Sequence, residues 1–416
     1  MYSPIDHCRI CGNTNLVPLF DLGNQALTGV FPSSEDEQVG VMPMQILKCV
    51  GDEHCGLVQM KYSGAPEEMY GMNYGYRSGL NQSMVNHLTA LGQKVFELAK
   101  PNDGDIILDI GSNDATLLKT YEEGKYTLVG MDPTGVKFKE YYTDAITLIS
   151  DFFSAENFEK EFAGKKAKIV TSIAMFYDLE DPQSFVNDIA QVISDDGIWM
   201  FEMSYLPLVL TANAYDSMCH EHLEYYAMRQ IHWLLEKAGM FVLDAYETDA
   251  NGGSICVVAA KKSHPSFIGA SPKAEEFLQK EEQQGIHTLK VYEEFWNRVQ
   301  YQCEQLRTLL DTIAKDGKKI FGLGASTKGN VLLQYCNISS EDIPYIAEVN
   351  EDKFGCFTPG TNIPIISQQE ADDMKPDYYI VFPWHFRTGI TKGMDSYLQS
   401  GGKLVFPLPE LTVVDA

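Results

Sequence analysis

The chain has 416 residues, of which 44% are hydrophobic and 22% charged, and this composition describes a globular protein of two or three domains. Its formal net charge of −26 argues against general binding to nucleic acid or to an anionic membrane, and no apolar run reaches the roughly 20 residues that span a bilayer. The first residues lack a basic and an apolar signal region, so we expect a cytoplasmic protein whose nine cysteines form no disulfide framework.

Four cysteines lie in the first 55 residues, as two pairs that are each followed by glycine. Cys8 and Cys11 form a CxxC motif, whereas five residues separate Cys49 from Cys55. In a zinc knuckle such a turn brings two thiolates to one ion, and the glycine relieves backbone crowding. We expect the four thiolates to hold one structural Zn²⁺ ion, with His54 as a minor alternative ligand. Unpaired thiols in a loop-rich arm are the other interpretation, and a redox pair is disfavoured because the CxxC lies outside a βαβ pattern.

A strand, a turn and a helix are predicted from residue 105 onwards. The apolar run ends in Asp109 and Gly111, as a buried parallel strand does where it enters a tight turn. Ser112 follows, and an amphipathic helix is predicted over 115–121. A second strand ends at Asp132, close to the ~20-residue spacing at which a doubly wound fold places a carboxylate on a ribose diol.

Three further strands continue this alternation. Asp151 and Phe152 follow the third strand, and later strands are predicted over 167–173 and 197–202, with Met175 in the loop between them. Alternating strands and helices predict a doubly wound α/β sheet with helices on both faces.

The turn after the first strand has one glycine instead of GxGxxG, so a dinucleotide is not the expected ligand. Its sequence, Asp-Ile-Gly-Ser-Asn-Asp, resembles motif I of the class I S-adenosylmethionine-dependent methyltransferases. The resemblance implies that the turn approaches the amino-acid part of S-adenosylmethionine, that Asp132 accepts from its ribose and that the adenine lies near Phe152. The residues assigned to this cofactor are Asp109, Gly111, Ser112, Asp132, Asp151, Phe152 and Met175.

The segment Cys219-His220-Glu221-His222-Leu223-Glu224-Tyr225-Tyr226 concentrates groups that can move a proton near neutral pH. It lies downstream of the cofactor site and is therefore a candidate catalytic centre. In an extended segment alternate residues share a face, so His220 and His222 are expected on one side and Glu221 on the other. The same residues could instead ligate a metal or line a core.

The C-terminal part begins with a helical stripe of apolar residues over 273–316, which packing against a core explains. A strand and a glycine-rich turn follow, and their spacing differs from that of a P-loop. Lys328 and Asn330 lie at the start of the next helix and would suit a phosphate or pyrophosphate. A tight turn without a ligand is the alternative. With the Phe-Pro-Trp-His-Phe sequence at 382–386, these elements predict a second, smaller α/β unit.

These patterns predict a zinc-binding N-terminal domain over 1–75, a Rossmann-like methyltransferase domain over 76–265 and a smaller Rossmann-like α/β domain over 266–416. In this order they resemble the nucleotide-sugar C-methyltransferases, which act on dTDP-linked 4-keto-6-deoxy sugars. The resemblance covers about 5–410. Its most specific elements are His220 to His222, Tyr74 to Gly79 and Gly322 to Asn330.

The resemblance implies methylation of the carbon next to a ketone. His222 matches the base that removes the sugar proton, Glu221 matches an acid that assists the sugar, and Tyr76 matches a tyrosine that reaches the site from the N-terminal arm. Lys328 and Asn330 match the phosphate-proximal turn, and His220 is assigned with them to substrate binding. An imidazole with an ordinary pKa of ~6.5 is suited to proton abstraction.

One position departs from the family pattern, because Cys219 stands where the family has a tyrosine. An O-methyltransferase on a sugar or related substrate is therefore kept as an alternative. A metal-dependent hydrolase or lyase that uses the His-Glu-His segment, and a binding protein without activity, are disfavoured. The expected partner is a nucleotide-linked sugar, and we expect a monomer or a small homo-oligomer.

Overall fold

The structure, a computed structural model, describes residues 2–65, 76–267, 269 and 271–416. Tyr74 and Gly75, which belong to one segment of the family resemblance, lie outside these residues. The N-terminal part, here called the arm, consists of β1 (Ser3–Pro4), β2 (Leu16–Ala26), β3 (Val41–Cys49), β4 (Val58–Met60) and β5 (Tyr62–Ser63).

The strands of the central region are β6 (Ile106–Ile110), β7 (Thr127–Met131), β8 (Ile146–Ile149), β9 (Ala167–Ile173), β10 (Ile193–Ser204), β11 (Glu224–Tyr225), β12 (Met240–Thr248) and β13 (Ser254–Lys261). All except β11 form one sheet of order β12-β13-β10-β9-β6-β7-β8. β13 runs antiparallel to both its neighbours, and the other pairs are parallel. Every residue of β6 is buried, as expected of a parallel strand covered on both faces. The predicted Rossmann-like sheet is confirmed.

The C-terminal part is a six-stranded sheet of order β16-β15-β14-β17-β18-β19. Its strands are β14 (Ile320–Leu323), β15 (Ile346–Glu348), β16 (Ile365–Ser367), β17 (Tyr378–Val381), β18 (Lys403–Phe406) and β19 (Thr412–Val414). Its strands pair in parallel except for the edge strand β19, which confirms a second α/β unit.

Helices cover the sheets and join the parts. Those of the central part are α1 (Gln82–Ala99), α2 (Ala155–Glu161), α3 (Pro182–Val192), α4 (Leu206–Thr211) and α5 (Met228–Lys237). Those that follow are α6 (Pro272–Gln283), α7 (Lys290–Lys315), α8 (Thr327–Tyr335), α9 (Gln368–Asp373), α10 (Arg387–Gly393) and α11 (Asp395–Gln399). None of the helices within the described ranges is long and apolar enough to cross a membrane.

Two predicted helices differ from the structure. The helix expected over 115–121 is only a 3₁₀ turn at Leu118–Thr120, because Asn113 and Ala115 adopt left-handed backbone angles (φ of 49° and 60°) that an α-helix does not contain. The stripe over 273–316 is two helices, α6 and α7, which the left-handed Gly285 (φ of 70°) separates.

The arm packs against both other parts of the molecule. β11 pairs with β4, so the segment that follows His222 is the fourth strand of the arm's sheet, of order β11-β4-β3-β2. Phe20 on β2 stacks on Trp296 of α7, with ring centroids 4.9 Å apart. Gln334 of α8 accepts a hydrogen bond from the backbone N–H of Ala26 and donates one to its carbonyl, at 2.7 and 3.1 Å. The arm therefore reaches the cleft between the two α/β parts.

Candidate active site

A cavity of about 630 Å³ lies where the three parts meet. A volume of this order is typical of a small-molecule site. The wall includes Gly29 and Phe31 of the arm, Asp109, Gly111, Ser112, Asp132, Phe152, Met175, Tyr177, Cys219, Glu221 and His222 of the central part, and Lys328, Lys353 and His385 of the C-terminal part.

One end of the cavity is built on the carboxyl ends of β6 and β7. Gly111 has a φ of 70°, and a Cβ atom there would lie 3.1 Å from Met175 Cγ, so the turn suits a residue without a side chain. Asp132 Oδ2 accepts from the backbone N–H of Asn113 at 2.7 Å, and Oδ1 accepts from that of Thr134 at 2.6 Å. Oδ1 also accepts from the Thr134 hydroxyl at 2.7 Å, so Oδ2 is the oxygen that keeps a second lone pair for a ligand. This end fits the ribose and amino-acid parts of S-adenosylmethionine.

The other residues assigned to the cofactor take different positions. Asp109 is buried, accepts from the Thr171 hydroxyl at 2.6 Å, and burial raises its pKa to about 7. Ser112 exchanges a hydrogen bond with the Tyr142 hydroxyl at 2.8 Å. Phe152 lies half-exposed on the cavity wall, whereas Asp151 lies outside the wall and accepts from the backbone N–H of Phe152.

The His-Glu-His segment is a turn, in which the N–H of His222 donates to the carbonyl of Cys219 at 3.1 Å. The expectation that His220 and His222 share a face is therefore wrong. His220 is fully buried away from the cavity, where Nδ1 lies 3.4 Å from both the N–H and the hydroxyl of Thr28. Glu221 and His222 both line the cavity.

His222 is held as a neutral imidazole. Its Nδ1 lies 2.7 Å from the carbonyl of Ser217, which can only accept, so Nδ1 carries the proton and Nε2 keeps a lone pair. Its ring packs on Tyr177, with centroids 4.1 Å apart. Burial, assisted by the charge of Lys328, lowers the pKa of His222 to about 3.

Glu221 is enclosed by the arm. Its carboxyl group interacts with the Cys219 thiol and the Thr28 hydroxyl, and burial raises its pKa. A Cβ atom on Gly29 would lie 2.2 Å from Glu221 Oε1, so glycine lets the loop approach this carboxyl group without displacing it. The carboxyl group is thus fixed by the arm on one side and by its own turn on the other.

The C-terminal part contributes two lysines and an imidazole to the wall of the cavity. Lys328 Nζ donates to the carbonyl of Asn251 at 2.6 Å, and Lys353 Nζ donates to the carbonyl of Ala325 at 2.7 Å. His385 also lines the cavity, and burial lowers its pKa to about 3.

Asn330 is buried outside the cavity wall. Its Nδ2 donates to the carbonyl of Thr28 at 2.7 Å. Asn330 and His220 therefore hold the same loop of the arm from two sides.

Tyr76 lines the cavity with a half-exposed ring, next to Ser78. Its backbone carbonyl accepts from Asn113 Nδ2 at 3.1 Å, which ties it to the turn after β6. Tyr76 therefore joins the same cavity as His222 and Glu221.

The four cysteines of the arm form one cluster, in which all Sγ atoms lie within 4.8 Å of one another. A tetrahedral ion with Zn–S bonds of about 2.3 Å would place its sulfurs about 3.8 Å apart. Gly12 and Gly56, which follow the second cysteine of each pair, have left-handed φ values of 70° and 76°. Within the described ranges, this is the one group of three or more clustered His, Cys, Asp or Glu residues that could hold a metal. The cluster fits zinc, and the His-Glu-His turn lacks a comparable set.

Sequence reasoning missed the loop of Thr28 and Gly29, together with Lys353 and His385. The Phe-Pro-Trp-His-Phe motif was a signal for His385, since Trp384 Nε1 donates to Asp216 at 2.7 Å and so fixes the motif near the His-Glu-His turn. No local pattern signals the loop, because its partners lie about 190 to 300 positions away.

Three family models match the chain. Residues 8–70 match a candidate zinc-binding domain, residues 84–245 a methyltransferase domain and residues 249–409 a C-methyltransferase C-terminal domain. The three matches follow the same order as the arm, the central sheet and the C-terminal sheet.

The chain is 30% identical over 417 residues to the C-methyltransferase NovU of Streptomyces niveus, a match that covers 99% of this chain and 98% of the relative. Among solved structures, the magnesium protoporphyrin IX methyltransferase of Synechocystis PCC 6803 with bound S-adenosylhomocysteine is 14% identical, with a TM-score of 0.34 over 43% of this chain and 83% of that one. An S-adenosylmethionine-dependent methyltransferase of Clostridium acetobutylicum is 10% identical, with a TM-score of 0.34 over 42% of this chain and 92% of that one. On the full-length match to NovU and the family models, the chain belongs to the S-adenosylmethionine-dependent C-methyltransferase family.

Proposed function

We propose that the enzyme methylates a carbon atom next to the ketone of a nucleotide-linked 4-keto-6-deoxy sugar, with His222 as the base. The observation that carries this proposal is the fixed neutral tautomer of His222 in a cavity that joins the Asp132 end to the Lys328 wall. A neutral imidazole nitrogen with a free lone pair can accept a proton from carbon.

In the proposed reaction, His222 Nε2 takes the proton from the carbon beside the ketone, and the electrons of that C–H bond pass into an enolate. S-adenosylmethionine supplies an electrophilic methyl group to this carbon when it is bound. Glu221, whose pKa burial raises, can hold a proton and donate a hydrogen bond to the enolate oxygen. Tyr76 is the second candidate donor, because it lines the same cavity.

The ends of the cavity suit the two ligands differently. Asp132, Gly111 and Met175 would hold the methyl donor, as the remaining lone pair on Asp132 Oδ2 and the open turn at Gly111 favour. Lys328 and Lys353 offer the positive charge that a diphosphate needs in a chain of net charge −26. We assign His220 and Asn330 to the support of the Thr28 loop beside the substrate, and the four cysteines to one structural zinc ion.

The proposal is tested by incubating the purified enzyme with S-adenosylmethionine and a panel of nucleotide-linked 4-keto sugars. The expected product gains one methyl group whose NMR signals show a new carbon–carbon bond. A methyl ether would instead support O-methylation, and the absence of any methylated sugar would contradict the substrate class.

The role of His222 is tested in the same assay with His222→Ala. We expect this variant to bind S-adenosylmethionine normally and to lose turnover. His264→Ala is the matched control, since His264 is buried but lies in a loop beside Phe267, away from the cavity. Turnover of His222→Ala near the wild-type rate would exclude His222 as the base.

A further inference from the structure

A buried cation lies inside the zinc knuckle and faces the catalytic segment. Arg9 stands between Cys8 and Cys11, and only 3% of its side chain is exposed. Its Nη1 donates to the carbonyl of Met60 at 2.6 Å, and its Nη2 donates to Ser63 Oγ at 2.7 Å. The guanidinium group is thereby fixed against β4 and β5.

Two carboxylates approach the remaining edge of this guanidinium group. Arg9 Nε lies 3.7 Å from Glu224 Oε1 and 3.6 Å from Glu180 Oε2. The Glu224 side chain is completely buried, whereas that of Glu180 is half-exposed and also accepts from Ser63 Oγ at 2.9 Å. Burial raises the pKa of Glu224 well above its usual range, and the charges of Asp178 and Glu180 raise it further, whereas the charge of Arg9 opposes the rise. Arg9 is therefore the group that favours the ionised form of this buried carboxyl group.

Glu224 lies two residues after His222 in a backbone held from both sides. The N–H of Leu223 donates to the carbonyl of Tyr177, and the carbonyl of Leu223 accepts from the N–H of Met60, both at 2.8 Å. Glu224 itself is paired with Gln59 across β11 and β4. Only Leu223 separates Glu224 from His222, so a shift of Glu224 would also move His222, whose ring packs on the same Tyr177.

We propose that Arg9 and Glu224 are positioning residues that transmit the geometry of the cysteine knuckle to the Glu221–His222 turn. The knuckle fixes the backbone of Arg9, the guanidinium group faces the carboxyl group of Glu224, and Glu224 belongs to β11, which pairs with β4. In this arrangement Arg9 and Glu224 set the position of His222 without lining the cavity themselves. The inference rests on the proposed function only for the role of His222 as the base.

The test is a double-mutant cycle of Arg9→Met and Glu224→Gln in the full chain, measured by amide hydrogen exchange of the segment 219–226, by zinc content and by S-adenosylmethionine affinity. Arg9→Met leaves the buried carboxylate without its counter-ion, so we expect exchange in 219–226 to rise about tenfold or more. The double variant, which removes both charges, should return to within about threefold of the wild-type exchange. Cofactor affinity should stay within about twofold, because Asp132 is unaffected.

Turnover supplies a second readout once a substrate is found. We expect kcat of Arg9→Met to fall by about 10 to 100-fold with an unchanged KM for S-adenosylmethionine, since a shift of ~1 Å at a base costs rates of this order. Arg9→Lys should recover part of the loss, and Glu224→Gln combined with Arg9→Met should recover more. Arg307→Met is the matched control, because it removes a guanidinium group that pairs with Asp342 at 2.8 Å in the C-terminal part.

Unchanged exchange in Arg9→Met, or a double variant as perturbed as Arg9→Met alone, would overturn the proposal. If Arg9→Met loses its zinc, the proposal is tested with the single variant Glu224→Gln, which leaves the sequence of the knuckle intact. In Glu224→Gln we expect a full zinc content and amide exchange in 219–226 that is about threefold faster than in the wild type. Exchange at the wild-type rate in this variant would refute the role of Glu224. These readouts need no substrate, so a failed methylation assay would refute the proposed function and leave this result standing.

Discussion

A methyl group added to the arm at Gly29 should disable the site without unfolding the chain. The ideal Cβ atom of Gly29→Ala would lie 2.2 Å from Glu221 Oε1, 3.4 Å from Glu221 Cδ and 3.7 Å from Thr327 Oγ1. A carbon–oxygen contact of this kind needs about 3.2 Å or more, so the carboxyl group must move by about 1 Å. Gly29 has no left-handed φ, and alanine can adopt its backbone conformation.

The carboxyl group is the free end of a side chain and can rotate away, so we expect a loss of only about 1 kcal/mol in the free energy of unfolding. Displacement of Glu221 by about 1 Å should lower kcat by about 100-fold. The affinity for S-adenosylmethionine should not change, because the atoms nearest to the added Cβ belong to Glu221 and Thr327 and not to Asp132. Calorimetric binding, thermal unfolding and single-turnover methylation separate these three effects.

Gly389→Ala is the matched control for this prediction. Gly389 lies in α10, and a Cβ atom there would meet no other atom within 4 Å. It should leave turnover unchanged and raise stability slightly, because alanine is the better helix former. If Gly29→Ala turned over like Gly389→Ala, the placement of Glu221 by the arm would have no catalytic role. If Gly29→Ala weakened only the affinity for S-adenosylmethionine and left turnover unchanged, the proposed link between Gly29 and Glu221 would also be refuted.

Three further predictions concern the cofactor, the metal and pH. Asp132→Ala should weaken S-adenosylmethionine binding about 10 to 100-fold by calorimetry, whereas Asp151→Ala, outside the cavity wall, should change it far less; equal effects would contradict the ribose assignment. Metal analysis should find one zinc per chain, lost in Cys8→Ser together with thermal stability. Burial lowers the pKa of His220 to about 4, so the unfolded chain binds its proton first as pH falls from 6.5 towards 4. Stability should therefore fall across that window by on the order of 3 kcal/mol, and urea unfolding of His220→Asn should show a weaker pH dependence.

The sheet could be predicted because its signals are local. The apolar runs that end near Asp109 and Asp132 became the buried parallel strands β6 and β7, so Asp109, Gly111 and Asp132 lie at the carboxyl edge of neighbouring strands. The spacing of the cysteines likewise predicted a cluster whose sulfurs converge. In these cases the chemistry of a few adjacent residues determines the backbone.

Predictions failed where the backbone departs from regular angles. The helix expected over 115–121 ignored the left-handed conformations of Asn113 and Ala115, which residue type alone does not reveal. The shared face of His220 and His222 assumed an extended segment, whereas a hydrogen bond from His222 to Cys219 closes a turn. A single turn therefore separated a buried supporting histidine from the residue in the cavity.

The loop of Thr28 shows why the rest of the site had no sequence signal. Its backbone N–H lies 3.4 Å from His220 Nδ1, 192 positions away, and its carbonyl accepts from Asn330, 302 positions away. The neighbouring Gly29 then touches Glu221, so one short loop fixes a catalytic candidate only after all three parts have packed together. Since each contact joins different parts of the molecule, the turn after β6 is built from local residues, whereas the position of Glu221 beside the arm requires all three parts to be packed together.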